Sequence, residues 1–316
     1  MENTIQHLFE EQLGSWTLAR NNYNALAQVR VKELKVNGID YKVQFNPARI
    51  VSSAAKVDSQ SIQARKCFLC PAHLPAEQKG IPFAEQYTIL VNPFPIFPRH
   101  LTIPEEAHVD QRIYSRFADM LDLAATAKDY VLFYNGPKCG ASAPDHAHFQ
   151  AGSKGFLPIE QQWETLRELK ITTQGAATLW LLNDAPRNTL LLESPDKQEV
   201  VELFHRVYNA LEQKPGEEEP MMNVLAWFER GESQSENTGK YVVCLFPRSQ
   251  HRPSCYSAEG DTNILISPAS VDMGGVFITP REVDFEKITA ADIATILTEV
   301  CLSREALQSF IERIKK

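Results

Sequence analysis

Apolar and polar positions change their spacing several times along the chain, and each change marks an element. From Glu2 to Leu34 the residues Leu8, Leu13, Trp16 and Leu26 recur at helical spacing and predict one or two helices. Val36 to Phe45 alternates around Asn37-Gly38, a turn dipeptide between β-type runs, and predicts a hairpin. Asn46 to Ser53 reads as strand or loop. Tyr87 to Asn92 is a strand broken by Pro93, Pro95 and Pro98, which exclude a central strand there. Leu101 to Ile103 is a short strand ending at Pro104. Gln111 to Lys128 is an amphipathic helix with Ile113, Phe117 and Leu121 on one side. Tyr130 to Tyr134 is a strand, followed by a small-residue loop from Gly136 to Asp145 and a strand that carries His146, His148 and Gln150.

A similar succession then repeats. Phe156 to Lys170 reads as a connector with a helix. Strands are predicted at 179–182 and 189–192, a helix over 196–213, and strands at 221–228 and 241–246, the last two separated by a polar loop from Glu229 to Lys240. A short strand at 276–279 and a helical stretch from Ala290 to Lys315 complete the chain. The matching element content predicts an α+β protein with an internal duplication, in which antiparallel sheets carry helices packed on one face. The two halves are placed at 1–172 and 173–316.

Composition narrows the function. Hydrophobic residues make up 43% and charged residues 23%, so 316 residues suffice for a packed core. A formal net charge of −8 argues against a general nucleic-acid binder, which needs a basic face. No apolar run reaches the roughly 18–20 residues of a membrane helix, and the N-terminus has no basic and apolar leader pattern. Of the six cysteines only Cys67 and Cys70 are closely spaced, which points to a reducing compartment, the cytoplasm, and to one metal or redox pair.

Two constellations carry chemistry. In an extended strand His146, His148 and Gln150 point to one face, while Ala147 and Phe149 point to the other. Two imidazoles and a carboxamide after a loop that lets backbone approach a ligand suit phosphorus chemistry: an imidazole nitrogen attacks a phosphate, holds the nucleotidyl group and passes it on. Paired histidines alone also occur in ordinary cores, so the weight lies in the whole pattern. The second constellation is Cys67-x-x-Cys70, a tetrahedral zinc half-site. His73, His100, His108 and His146 compete to complete it. His73 is flanked by Pro71 and Pro75, and the set chosen is Cys67, Cys70, His108 and His146. His146 then braces the strand while His148 stays free to react.

Cys67-Phe68-Leu69-Cys70, Phe45-Asn46-Pro47, Asn92-Pro93-Phe94-Pro95 and His146-x-His148-x-Gln150 together resemble the galactose-1-phosphate uridylyltransferases. These belong to the histidine-triad superfamily with the diadenosine tetraphosphate phosphorylases and GDP-hexose phosphorylases. The resemblance spans about residues 45–152. Further on, Pro268-Ala269-Ser270 and Gly274-Gly275, within 263–287, are loosely similar to the tail of the GDP-hexose phosphorylases.

The resemblance implies a duplicated histidine-triad fold, His148 as the nucleophile and Gln150 as the residue bonding a non-bridging phosphoryl oxygen. It implies contacts to nucleotide or phosphate from Arg49, Asn92, Asn135 and Ser142, and a structural zinc on Cys67, Cys70, His108 and His146. The family's His-Pro-His is His146-Ala147-His148 here, and an extra residue separates Ser142 from His146.

These readings converge on a nucleotidyltransferase or phosphorylase. Its donor is a nucleoside diphosphate sugar or dinucleoside polyphosphate, and its acceptor is phosphate or a sugar phosphate. Backbone N–H groups of the 136–142 loop, Gly140 included, would stabilise phosphoryl charge; Lys138, Arg248, His251 and Arg252 are further phosphate partners to test. No nucleic acid and no membrane is expected as partner, and the protein is expected as a monomer or homodimer. The alternatives are a nucleotide hydrolase that uses the same histidine, and a catalytically silent, zinc-stabilised nucleotide-binding protein.

Overall fold

The structure, a computed structural model, describes residues 1–231 and 238–315. Its strands are β1 Arg30–Val36, β2 Ile39–Phe45, β3 Gly80–Phe83, β4 Tyr87–Val91, β5 His100–Pro104, β6 Tyr130–Asn135, β7 His148–Ser153, β8 Arg167–Gln174, β9 Ala177–Leu182, β10 Leu190–Ser194, β11 Met222–Arg230, β12 Gly239–Pro247 and β13 Val276–Thr279. Ten of them form one sheet in the order β3-β4-β5-β7-β6-β11-β12-β10-β9-β8, and β1-β2-β13 form a second, small sheet.

The ten-stranded sheet shows the duplication directly. In each half a hairpin is followed by a strand, a helix and two further strands. The helices are Phe117–Thr126 and Lys197–Ala210. The halves meet where β6 pairs antiparallel with β11, Asn135 opposite Asn223. The expected division after residue 172 falls inside β8, which pairs with β9 along its length, so the second half begins earlier.

Strand alternation sends side chains to two cores. Leu132, Tyr134, Phe149, Ala151, Val224, Ala226, Val243 and Leu245 pack under the two repeat helices, whose Phe117 and Phe204 rings stack 3.7 Å apart. The opposite face carries Val131, Phe133, Leu225, Trp227, Val242, Cys244 and Phe246. The small sheet and the helix Ala290–Val300 cover it, so both faces are buried and the helical layer expected on one face is matched by a second cover on the other.

Several elements differ from the sequence expectation. The helical pattern ends at Leu26, and Arg30–Val36 is a strand because β2 offers it a partner through the Asn37-Gly38 turn, where both residues have positive φ. Residues 47–53 are short helical turns rather than strand, opened by Pro47 at the first helical position. The helix expected over 111–128 starts at Phe117, since Gln111 is engaged elsewhere, as described below. The C-terminal helical stretch is two helices, Ala290–Val300 and Arg304–Ile314, the second capped by Ser303. The centre of the expected 229–240 loop, 232–237, lies outside the described residues, and its flanks are the ends of β11 and β12.

Candidate active site

His148 opens β7, and its neighbours determine what it can do. His146 is not in the strand; it sits on a bend closed by its N–H to the Ala143 carbonyl, because Pro144 and Asp145 turn the chain. The His146 carbonyl lies 2.7 Å from His148 Nδ1. A carbonyl only accepts, so Nδ1 carries the proton and Nε2 keeps its lone pair. Burial pushes the imidazole down to about 4, which leaves the ring neutral at neutral pH. The strand is held from behind by Gln111. Its side-chain oxygen accepts from His148 N–H at 2.8 Å, and its amide nitrogen donates to the carbonyls of His148 and Asn135 at 3.0 and 3.1 Å.

Gln150 shares the face of His148, and its orientation is imposed by His100, which is fully buried. Ile96 N–H donates to His100 Nδ1 at 3.1 Å, so the proton sits on Nε2, which lies 3.1 Å from Gln150 Oε1. Gln150 must therefore accept through its oxygen, and its NH₂ remains available as a donor. Burial and the nearby Arg49 charge hold His100 down to about 3, so it stays neutral.

A cavity of about 620 Å³ opens over this face, a volume typical of small-molecule sites. All seven residues expected at the reaction centre border it: His148, Gln150, Arg49, Asn92, Asn135, Gly140 and Ser142. Asn92 is partly committed, donating to Thr102 Oγ1 and accepting from Phe94 N–H, both at 2.9 Å. Arg49 donates to the Phe94 carbonyl at 2.9 Å. Ser142 presents its carbonyl to Arg65. Gly140 has φ +91, and a Cβ there would sit 2.5 Å from the Ala269 Cβ, so no other residue fits.

Asn135 is held by the other half of the chain. Its Oδ1 accepts from Asn223 Nδ2, Ser270 N–H and the Ser270 hydroxyl at 2.8–2.9 Å, which leaves its NH₂ as the unclaimed end. Asn223 in turn bonds the Cys139 carbonyl and accepts from Arg248 at 2.6 Å. Arg248, buried, also bonds the carbonyls of Pro268, Val300, Gln250 and His251. Arg248 is thus a brace and not the phosphate partner expected. Lys138 pairs with Glu217, and Arg252 bonds Ala55 and Ser267. None of these, nor His251, borders the cavity. Gln111, Asn223 and the role of His100 had no local signal: each acts on residues 24 to 88 positions away in sequence.

Beside His148, the four expected ligands Cys67, Cys70, His108 and His146 offer atoms all within 4.8 Å of one another. The separations are 3.3 Å for Cys67 Sγ to His146 Nδ1, 3.2 and 3.6 Å for Cys70 Sγ to His108 and His146 Nδ1, and 3.3 Å between the two imidazole nitrogens. Tetrahedral Zn–S and Zn–N bonds imply N···N edges of about 3.4 Å and S···N edges of about 3.6 Å. His146 Nε2 donates to the Glu105 carbonyl at 2.7 Å, which aims Nδ1 at the cluster. His73 donates instead to the Cys67 carbonyl, and His100 serves Gln150. The cluster can hold a metal ion.

Known proteins share this fold. Residues 8–153 match the family described as a domain of unknown function, DUF4922, and residues 162–316 match the GDPGP1-like C-terminal domain. Yeast Ap4A phosphorylase Apa2, solved with Ap4A, is 18% identical; the match covers 96% of this chain and 98% of that one, with a TM-score of 0.61. The chain shares the fold of that enzyme. The same yeast enzyme without ligand matches 90% of this chain and 93% of its own at 17% identity and TM-score 0.57; with AMP it matches 92% and 96% at 18% and 0.57. No curated protein sequence matches the chain. Among the described residues no helix is long and apolar enough to cross a membrane.

Proposed function

We propose that the protein is a nucleotidyltransferase of the phosphorylase type, acting on a nucleoside diphosphate sugar or dinucleoside polyphosphate through a nucleotidyl group held on His148. The observation that carries this is the tautomer of His148: neutral, Nδ1–H fixed on a carbonyl, Nε2 free in a residue that borders the cavity. Nε2 attacks the α-phosphorus, the P–N bond forms, and the bond to the departing phosphate breaks. An oxygen of phosphate or a sugar phosphate then attacks the same phosphorus, the P–N bond breaks and His148 is restored. The NH₂ groups of Gln150 and Asn135 and the N–H groups of the 136–142 loop would bond the non-bridging oxygens as charge builds. Asn92, Arg49 and Ser142 would hold the nucleotide. The similar yeast enzyme, solved with Ap4A and with AMP, supports a nucleotide in this cavity.

We assign the Cys67, Cys70, His108 and His146 cluster to structural zinc, because the four-ligand edges fit that ion. It would fasten the cysteine turn to the bend before β7, so that His146 O stays under His148 Nδ1. Six cysteines with no disulfide among them suit the reducing cytoplasm. We take the half that ends with β7 as the reacting half and the half that begins with β8 as the supporting half, in a monomer or homodimer.

The test is intact-protein mass after incubation with nucleoside diphosphate sugars and dinucleoside polyphosphates. A gain of one nucleoside monophosphate in wild type and not in His148→Ala is expected. No gain with any donor, or an equal gain in the variant, overturns the mechanism. Turnover that needs added phosphate identifies a phosphorylase; turnover in water alone identifies a hydrolase.

A further inference from the structure

The connection between β9 and β10 holds a buried ion pair that the reaction at His148 does not use. It matches the connection between β4 and β5 in the first half, which carries Asn92. There Asn92 N–H donates to the His100 carbonyl at 2.9 Å; here Leu182 N–H donates to the Thr189 carbonyl at 3.0 Å. Asp184 and Arg187 are both buried in it, with Arg187 Nε 2.8 Å from Asp184 Oδ2, and Asp184 also accepts from the N–H and hydroxyl of Thr189. The guanidinium lies 5.4 Å from the Tyr41 ring centroid and 5.9 Å from that of Phe246, so it covers the face of β12 that corresponds to the His148 face of β7. Arg187 Nη1 donates to the Met273 carbonyl at 2.8 Å, 86 positions further on, while Nη2 is buried without a partner. A buried pair with an unmet nitrogen adds little stability over apolar packing. What no apolar side chain could supply is the bond to the Met273 carbonyl.

Met273 ends the helical turn Ser270–Met273. Within that turn Met273 N–H donates to the Ala269 carbonyl at 3.0 Å and Gly274 N–H to the Ser270 carbonyl at 2.8 Å, so the position of Met273 is passed to Ser270. Ser270 supplies two of the three donors on Asn135 Oδ1, both at 2.8 Å. Arg248 holds the other end of the turn at the Pro268 carbonyl. Two guanidiniums thus clamp it, and their charge-assisted bonds resist displacement more than neutral ones. We propose that Arg187 is a positioning residue: through Met273 and Ser270 it fixes the direction in which Asn135 offers its NH₂ to the phosphate. The second half then acts on the reaction from the place where its own site would lie. This rests on the reading of the cavity as a nucleotide site.

The experiment takes two readings on the metal-loaded protein: binding of AMP, GMP and UMP by calorimetry, and backbone hydrogen–deuterium exchange over residues 267–278. Arg187→Lys keeps a cation beside Asp184 but lacks the planar fork that reaches both acceptors. It should speed exchange at Met273 and Gly274, and weaken the monophosphate that wild type binds best by on the order of tenfold. In an Asn135→Ala background the same substitution should weaken it little further, since the group it aims is gone. Val207→Ala, a truncation in the core under the other face of the sheet, controls for lost stability and should do neither. Should Arg187→Lys fail to fold, Arg187→Gln with Asp184→Asn, which leaves no charge there, carries the same expectations. No loss of affinity, a loss as large in the Asn135→Ala background, or one matched by Val207→Ala overturns the positioning role. If wild type binds no monophosphate, the nucleotide reading falls and exchange alone decides. Exchange faster in Arg187→Lys but not in Val207→Ala then keeps the brace, and unchanged exchange removes it. Binding that shows the Arg187 effect without any His148 adduct keeps the brace and sinks the transfer step.

Discussion

His100 offers a perturbation whose size follows from the structure. An unfolded histidine titrates near 6.5, whereas the buried His100 is held down to about 3. Because the folded value is depressed, its contribution to stability is complete above 6.5 and is lost as pH falls through the window from 6.5 to 3. Between pH 7 and pH 5 the unfolded chain gains most of a proton that the folded chain refuses, a loss of about 2 kcal/mol from this one group. His100→Gln removes the titration yet keeps a donor for Gln150. At pH 7 the variant should be less stable by about 1–2 kcal/mol, because the ring's contacts with Phe97 and Phe133 at 5.4 and 5.7 Å are lost. At pH 5 that deficit should close or reverse. Urea unfolding followed by tryptophan fluorescence at both pH values measures the difference, in which every other titrating group cancels. If wild type and variant lose stability in parallel from pH 7 to pH 5, His100 is not a buried neutral ring and the orientation argued for Gln150 fails with it.

Three further outcomes test other parts of the site. Protein purified without added metal should carry about one zinc per chain, and Cys70→Ser should lose it together with thermal stability; elemental analysis and a melting curve decide this. Gly140→Ala must place a Cβ 2.5 Å from that of Ala269 at φ +91, and should cost about 2–4 kcal/mol by denaturant titration. Asn223→Ala leaves the Cys139 carbonyl without its donor, takes one of two acceptors from an Arg248 nitrogen that keeps the Pro268 carbonyl, and removes one of the three donors that hold Asn135 Oδ1. It should cost about 2–3 kcal/mol in stability and weaken nucleotide binding in calorimetry, while Asn223→Asp, which still accepts from Arg248, should recover part of the stability.

What could be read from the sequence was whatever depends on local spacing. The two-residue period of His148 and Gln150 fixed their shared face because a strand has no other way to present them, and Asn37-Gly38 fixed the hairpin because few dipeptides accept two positive φ values. The four residues of the cysteine–histidine cluster were legible because Cys67 and Cys70 lie three positions apart and His146 lies two residues before His148. His146 itself was misplaced into that strand: the pattern His-x-His does not reveal that Pro144 and Asp145 bend the chain just before β7. Arg248 looked like a phosphate ligand because an arginine near a histidine is ambiguous until its acceptors are seen; in the fold five of them are already in place. Gln111 was absorbed into a helix by its apolar neighbours, although its amide is engaged with β6 and β7.

The duplication raises the question of how many sites one chain carries, and the strand faces answer it. On β7 the face turned to the cavity bears His148 and Gln150. On β12, which occupies the matching place in the second half, the same face bears Val242, Cys244 and Phe246, all fully buried in the core beneath the small sheet and the helix Ala290–Val300. Burial drives the Cys244 thiol upward, so it offers no thiolate nucleophile in that place. The chain that seals this face continues through residues 267–278, and there it becomes a wall of the first cavity through Ser267, Ala269, Val271, Asp272 and Ile278. One covering segment therefore closes the second site and completes the first. Saturating donor should load one nucleotidyl group per chain and no more, whatever the oligomeric state; a second adduct by intact mass, persisting in His148→Ala, would show that the β12 half reacts and that its apolar seal opens.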